Sequence, residues 1–416
     1  MKKYFYFILI LIGCNNDLEI NENWKDIPVI YGVLNPGTDE NIDNISGSGR
    51  NYDHYVRVQK SFLGDGSAFN YTQDPDSIYY DPETIDVWLE LLDSETAELD
   101  GPFYLDYISP EEAILIDTKN DGMFNSSNHM LYKIPDLASD LIPFVDLRKL
   151  YKINVLNNNT GDTAFSITNI VEPVDMQRPT PFPINNSILR FGDGVTQKIE
   201  INPSKNAKMY SLSFVFNYLE QNIDDFNSDI NDNGVIDFVG SQKKSVVYNL
   251  GNFIASDQQM SGQSSVDITK NISPVEFLEF LSSQIYSDEN YVRYPLNTYY
   301  QGTGANIITG IYHRTIDLKV TAVNSELYTY LNANAPSYSF NQERPDYNNI
   351  NNGIGHWSSR SVLNLDSLRL DNSTIDKISS DPITFDLNFP CYNINGLGTP
   401  DINGFFLKFG EDCINE

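Results

Sequence analysis

The chain has 416 residues, enough for more than one hydrophobic core, and with 40% hydrophobic and 12% aromatic residues it is not globally disordered. Its formal net charge of −30 excludes a body that binds nucleic acid or anionic lipid, because such a surface repels phosphate groups. Abundant Asn, Asp, Ser, Thr and Tyr favour strands and turns, so the sequence predicts a mainly β protein.

The first fourteen residues have the pattern of a lipoprotein signal. Lys2 and Lys3 precede an apolar run that ends in Gly13-Cys14. The run is shorter than the roughly 20 residues of a membrane-spanning helix and fits a cleaved secretory signal. Gly13-Cys14 resembles the bacterial lipobox, in which the cysteine is acylated. We expect removal of residues 1–13 and a lipid such as palmitate on Cys14; an ordinary signal peptide is the alternative.

Residues 14–26 are predicted to form a polar, lipidated tether. Asp17 and Glu19, close behind the anchor, resemble the acidic export signals that send some Bacteroidota-type lipoproteins to the cell surface. A plain solvated linker is the alternative.

Residues 27–173 have the pattern of a β-sandwich. Residues 55–60 alternate apolar and polar side chains, as a half-buried strand does, and residues 85–91 form a second such segment. Residues 151–155 and 163–168 flank an Asn-Thr-Gly-Asp turn and predict a hairpin. Several short strands separated by turns predict an immunoglobulin-like sandwich.

A proline-rich segment, residues 174–183, is interpreted as the linker to a second domain. Residues 184–416 are then predicted to form a second β-rich domain of α+β type with a few short helices. Long strands are expected at residues 209–219, 244–250 and 315–323.

Two helix starts are marked in this second region. Ser273 as N-cap, Pro274 at the first helical position and Glu276 form a capping-box pattern. Asn324 precedes another short helix.

Four segments, residues 24–36, 54–64, 149–151 and 327–355, resemble a family of Bacteroidota-type outer-membrane lipoproteins of unknown function. Members are often encoded beside TonB-dependent transporters. The resemblance implies a two-domain, β-rich protein at the outer membrane with a β-barrel protein as partner. It brings no catalytic residues, and the pair His356-Trp357 departs from the apolar pair expected there.

One loop has the spacing of a calcium site. Asp229, Asn231, Asn233 and Asp237 carry oxygen ligands around a bend at Gly234. The twelfth loop position is a glycine rather than the glutamate of an EF-hand. A structural Ca²⁺ is therefore one hypothesis, and an Asn-Gly turn at the tip of a hairpin is the other.

Three further residues are candidates for specific roles. Cys391 and Cys413 remain after Cys14 is assigned to lipid, and they predict either one disulfide or two separate buried thiols. Trp357 is expected in an exposed loop, where its ring could bind a ligand or partner.

These patterns predict a non-enzymatic lipoprotein on the outer membrane, facing the medium or, alternatively, the periplasm. We expect it to act as an accessory or binding subunit of a β-barrel transport or assembly complex. The alternative is a module that binds an extracellular glycan or peptide. A hydrolase is the third hypothesis, but the sequence contains neither a Gly-x-Ser-x-Gly nor a His-Glu-x-x-His motif.

Overall fold

The computed structural model describes residues 26–36, 54–61, 75–116, 130–135, 146–179, 188–225, 240–295, 315–335 and 347–389, and the backbone of 391–392 and 407–408. This part of the chain is mainly β with a few short helices, as the sequence predicts. The strands are β1 (Pro28–Leu34), β2 (Tyr55–Lys60), β3 (Ile85–Asp93), β4 (Leu99–Tyr104), β5 (Asp106–Ile108), β6 (Leu131–Lys133), β7 (Lys149–Asn157), β8 (Thr163–Asn169), β9 (Asp175–Arg178), β10 (Ile188–Leu189), β11 (Gln197–Asn202), β12 (Met209–Asn222), β13 (Gln242–Ile254), β14 (Ile268–Ile272), β15 (Tyr291–Pro295), β16 (Ile316–Val323), β17 (Ile354–Leu370), β18 (Cys391–Tyr392) and β19 (Leu407–Lys408).

The helices are short and lie between strands. They are α1 (Pro75–Ile78), α2 (Pro110–Ile116), α3 (Asp257–Met260), α4 (Pro274–Gln284), α5 (Ser325–Ala333) and α6 (Asn372–Ser380), with 3₁₀ turns at Pro82–Thr84 and Phe385–Leu387. Within the described segments, none of them is long and apolar enough to cross a membrane.

The largest sheet has ten strands, in the order β13-β12-β16-β17-β1-β2-β6-β5, with β10 also paired to β17 and β15 to β12. Its central strand β17 pairs in parallel with β1 through its first residues, and antiparallel with β16 through later ones. A single 17-residue strand therefore joins the first described strand of the chain to strands from its second half.

The first hydrophobic core lies between two sheets. Strands β1, β2 and β6 turn residues such as Ile30 and Val56 toward it, and β3, β7 and β8 contribute residues such as Val87 and Ile153 from the facing sheet β4-β3-β7-β8. Two packed sheets of this kind form a β-sandwich. The immunoglobulin-like topology stays a prediction.

The second core contains residues from 171 to 389. Helix α4 begins at the predicted N-cap residue, and the Ser273 side chain accepts a hydrogen bond from the Glu276 amide at 3.2 Å, which is one half of the predicted capping box. The Glu276 carboxylate accepts hydrogen bonds from Tyr248 and Lys270, so it ties the helix to β13 and β14. Phe277 packs from α4 against Phe191 with ring centroids 4.1 Å apart.

Two features differ from the sequence analysis. Residues Asp175–Arg178, inside the segment interpreted as a linker, form β9 and pair with β11, because the prolines flank this strand rather than interrupt it. Ile350 and Trp357, from the second half of the chain, belong to the first core. The predicted domain boundaries stay a prediction, but β17 contributes to both cores.

Candidate functional site

The outer face of the sheet β4-β3-β7-β8 carries aromatic and charged side chains together. Strand β3 alternates, so Val87 and Leu89 are buried in the sandwich core while Trp88 and Glu90 point to the opposite face. We call this group the aromatic face; it consists of Trp88, Glu90, Tyr104, Lys152, Asn154 and Phe165.

Strand pairing places four of these residues in one row across the sheet. Trp88 lies opposite Tyr104 of β4 on one side and Asn154 of β7 on the other, and Asn154 lies opposite Phe165 of β8. The rings of Trp88 and Tyr104 have centroids 6.2 Å apart and are tilted by 44°. Tyr104 is 59% exposed, so this end of the row faces solvent.

Glu90 holds the centre of the aromatic face. Its Oε1 accepts a hydrogen bond from Trp88 Nε1 at 3.1 Å, and its Oε2 accepts bonds from Lys152 Nζ at 2.9 Å and Asn154 Nδ2 at 3.1 Å. Burial raises the pKa of the Glu90 carboxyl, but the hydrogen bonds from Lys152, Trp88 and Asn154 outweigh it and leave the pKa below its usual value. The carboxylate is therefore ionised at neutral pH, and its bonds fix the indole and the ammonium group.

Lys152 links this polar centre to the third ring. Its Nζ lies 5.2 Å from the centroid of Phe165, within the range of a cation–π contact. The ammonium group therefore contacts the Phe165 ring, whereas the rings of Trp88 and Tyr104 lie beside each other at the other end of the row. A fixed indole, an exposed phenol and a neutralised charge pair suit non-covalent binding, because a preorganised surface loses little conformational freedom when a ligand arrives.

The exposed-loop position predicted for Trp357 is wrong. Trp357 lies in β17, is 0% exposed and packs against Gly32 of β1. Its Nε1 donates a hydrogen bond to the Tyr151 carbonyl at 2.9 Å. A fully buried indole has no free face for a ligand, so Trp357 is a core residue, held inside by the pairing of β1 with β17.

The other residues singled out from the sequence lie outside the described residues. They are Cys14, the calcium-loop residues Asp229, Asn231, Asn233 and Asp237, Cys413, and the side chain of Cys391. Over the segments that are described, no group of three or more His, Cys, Asp or Glu residues could hold a metal ion. Lipidation, calcium binding and the disulfide stay predictions.

A second polar cluster lies between α5 and the large sheet. His356 of β17 and Arg57 of β2 flank Tyr31 of β1 in the strand register, and the Arg57 guanidinium lies 5.0 Å from the Tyr31 ring. The Tyr330 ring of α5 stacks on His356 at 4.1 Å. His356 is 6% exposed, and among the described residues neither of its ring nitrogens has a hydrogen-bond partner.

This cluster should make the fold sensitive to acid. Burial, with a smaller effect from Arg57, lowers the pKa of His356 to about 4 from 6.5 in the unfolded chain. Between these values the unfolded state binds more protons, so the free energy of unfolding should fall as pH drops from about 6.5 to about 4. Urea unfolding across this range should show a shallower pH slope for His356→Phe than for the unaltered protein. An unchanged slope would contradict the assignment.

Glu326 of α5 has the opposite effect on how the free energy of unfolding depends on pH. Burial raises the pKa of its carboxyl, so its contribution to stability is lost as pH rises through the folded-state value. Glu326→Gln should therefore steepen the acid sensitivity that His356 causes.

The aromatic face was not singled out from the sequence, although residues 85–91 were predicted to form a strand. Alternation along β3 could have placed Trp88 and Glu90 on one face. Tyr104, Lys152 and Phe165 join them only through pairing between distant strands, which alternation does not give. No protein-family model and no curated protein matches the chain, so its resemblance to an outer-membrane lipoprotein family stays a prediction.

Proposed function

We propose that the protein is a non-enzymatic, lipid-anchored binding subunit of an outer-membrane β-barrel complex for transport or assembly. The folded part of the chain would bind its ligand or partner through the aromatic face. One observation carries the binding role: the exposed ring of Tyr104 lies beside the fixed indole of Trp88 on the outer face of the sheet β4-β3-β7-β8. Aromatic rings of this kind dominate recognition energetics because they offer large, rigid contact areas.

The membrane position and the partner rest on sequence patterns. The Gly13-Cys14 pair after an apolar run supports a lipid on Cys14, and a stable anchor needs more than one acyl chain. An anchored protein meets a partner in the same membrane at a raised effective concentration. The resemblance to lipoproteins encoded beside TonB-dependent transporters supports a β-barrel as that partner.

Co-purification from membranes tests this proposal. The full chain, tagged at its C-terminus in its own cells, is extracted in mild detergent and recovered with its partners. We expect the unaltered chain to bring down a β-barrel protein. Cys14→Ala should leave the membrane fraction and recover at least about tenfold less of that protein, because the raised effective concentration is lost.

Asn15→Ala is the matched control, because it changes the neighbouring residue and keeps the thiol. Its partner recovery should equal that of the unaltered chain. Repeated recovery of the lipoprotein alone, or equal recovery with Cys14→Ala, would contradict the proposed function.

A further inference from the structure

The aromatic face has the chemistry of a carbohydrate site. Building on the proposed role of this face in recognition, we propose that it binds a neutral glycan. A pyranose ring would stack over Tyr104 and Trp88, and its hydroxyl groups would reach the polar centre at Glu90 and Lys152.

The two rings suit stacking on a sugar. A pyranose presents an apolar face of C–H groups with hydroxyls around its rim, so it can cover an aromatic ring and still make hydrogen bonds. The Trp88 indole is held by its bond to Glu90 at 3.1 Å, and little ordering is needed when a ligand arrives. Tyr104 stands beside it with a largely exposed ring.

The ion pair of Glu90 and Lys152 favours a hydroxylated ligand over an apolar protein surface. Glu90 and Lys152 form an ion pair at 2.9 Å that is only partly buried. An apolar partner that covered this pair would remove its remaining water without replacing the hydrogen bonds, which is costly. Sugar hydroxyls both donate and accept, so they can take the place of that water.

The charge of the protein favours a neutral glycan over an anionic one. The ion pair leaves the centre of the aromatic face without net charge, while the chain as a whole carries a formal charge of −30. An anionic polymer such as a polyuronate would be repelled by this field. Neutral hexose or pentose polymers meet no such opposition.

The test measures binding of defined sugars to the acylated full chain in detergent micelles. The probes are neutral hexasaccharides of glucose, mannose, galactose and xylose, with hexagalacturonate as the anionic comparison, measured by isothermal titration. We expect at least one neutral probe to bind and hexagalacturonate not to bind. Tyr104→Ala should weaken the neutral interaction roughly three- to tenfold, because one stacking ring is lost.

Two further variants make the result specific. Tyr104→Phe keeps the ring and should bind within about twofold of the unaltered chain, since stacking needs only the aromatic face. Tyr286→Ala removes an 83% exposed tyrosine outside the aromatic face and should leave the affinity unchanged. The melting temperature of each variant should match that of the unaltered chain, because Tyr104 and Tyr286 are both exposed.

The inference is overturned if no neutral probe binds at millimolar concentration, or if Tyr104→Ala and Tyr286→Ala bind a neutral probe equally well. Preferential binding of hexagalacturonate would also overturn it. Its failure is separate from failure of the proposed function. Co-purification of a β-barrel protein without sugar binding rejects only the ligand class, and sugar binding without a partner rejects only the complex.

Discussion

Replacing Trp357 with alanine is expected to lower the free energy of unfolding by about 3–5 kcal/mol, as removal of a fully buried large aromatic ring does. The indole fills space between β1 and β7, where it lies against Gly32 and donates a hydrogen bond to the Tyr151 carbonyl at 2.9 Å. The alanine variant loses both the packing and the donor. Urea unfolding followed by circular dichroism measures the change.

A double-mutant cycle with Gly32 tests the contact itself. A Cβ on Gly32 would lie 2.4 Å from Cζ3 of Trp357, so Gly32→Ala alone should cost roughly 1–3 kcal/mol by overpacking. In the Trp357→Ala background the ring is gone, and Gly32→Ala should be nearly neutral. Additive losses in the double variant would contradict this packing.

Replacing Gly355 with alanine is expected to cause the second large loss in the free energy of unfolding. Gly355 has a φ of +117° and lies opposite Ile30 in the parallel pairing of β17 with β1. A Cβ there would lie 2.0 Å from the Ile30 carbonyl oxygen, which is backbone and cannot rotate away. Gly355→Ala should therefore force β1 and β17 apart. The loss of stability has two sources, the clash with Ile30 and the strain of a Cβ-bearing residue at positive φ.

Gly251 provides the matched control. Its φ is +107°, but a Cβ at this position meets nothing within 4 Å. Gly251→Ala should cost about 1–3 kcal/mol through backbone strain alone. The difference between the two variants in urea unfolding isolates the clash with Ile30, and equal losses would show that the two strands do not pair closely.

Local patterns in the sequence predicted much of the secondary structure. The hairpin of β7 and β8 follows from alternation around a turn, and α4 follows from Ser273 and Pro274, because both signals lie within a few residues. The placement of Trp357 failed for the opposite reason. Its burial depends on β17 pairing with β1, more than 300 residues earlier, and no local pattern encodes that contact.

In the candidate site, too, some features follow from local sequence patterns and others depend on the pairing of strands. Alternation in β3 is enough to put Trp88 and Glu90 on one face. The approach of Lys152 and Asn154 to Glu90 depends on the register of β3 with β7, and Tyr104 on that of β3 with β4, which contains a bulge. These registers come from tertiary packing.

The mass of the N-terminal peptide, from protein extracted out of native membranes, tests the membrane-anchored role most directly. We predict a mature chain that begins at Cys14 and carries acyl chains on that residue. Asn15→Ala should give the same modification. An unmodified Cys14 thiol, or a chain that still carries residues 1–13, would contradict the anchor and, with it, the proposed work beside a β-barrel partner.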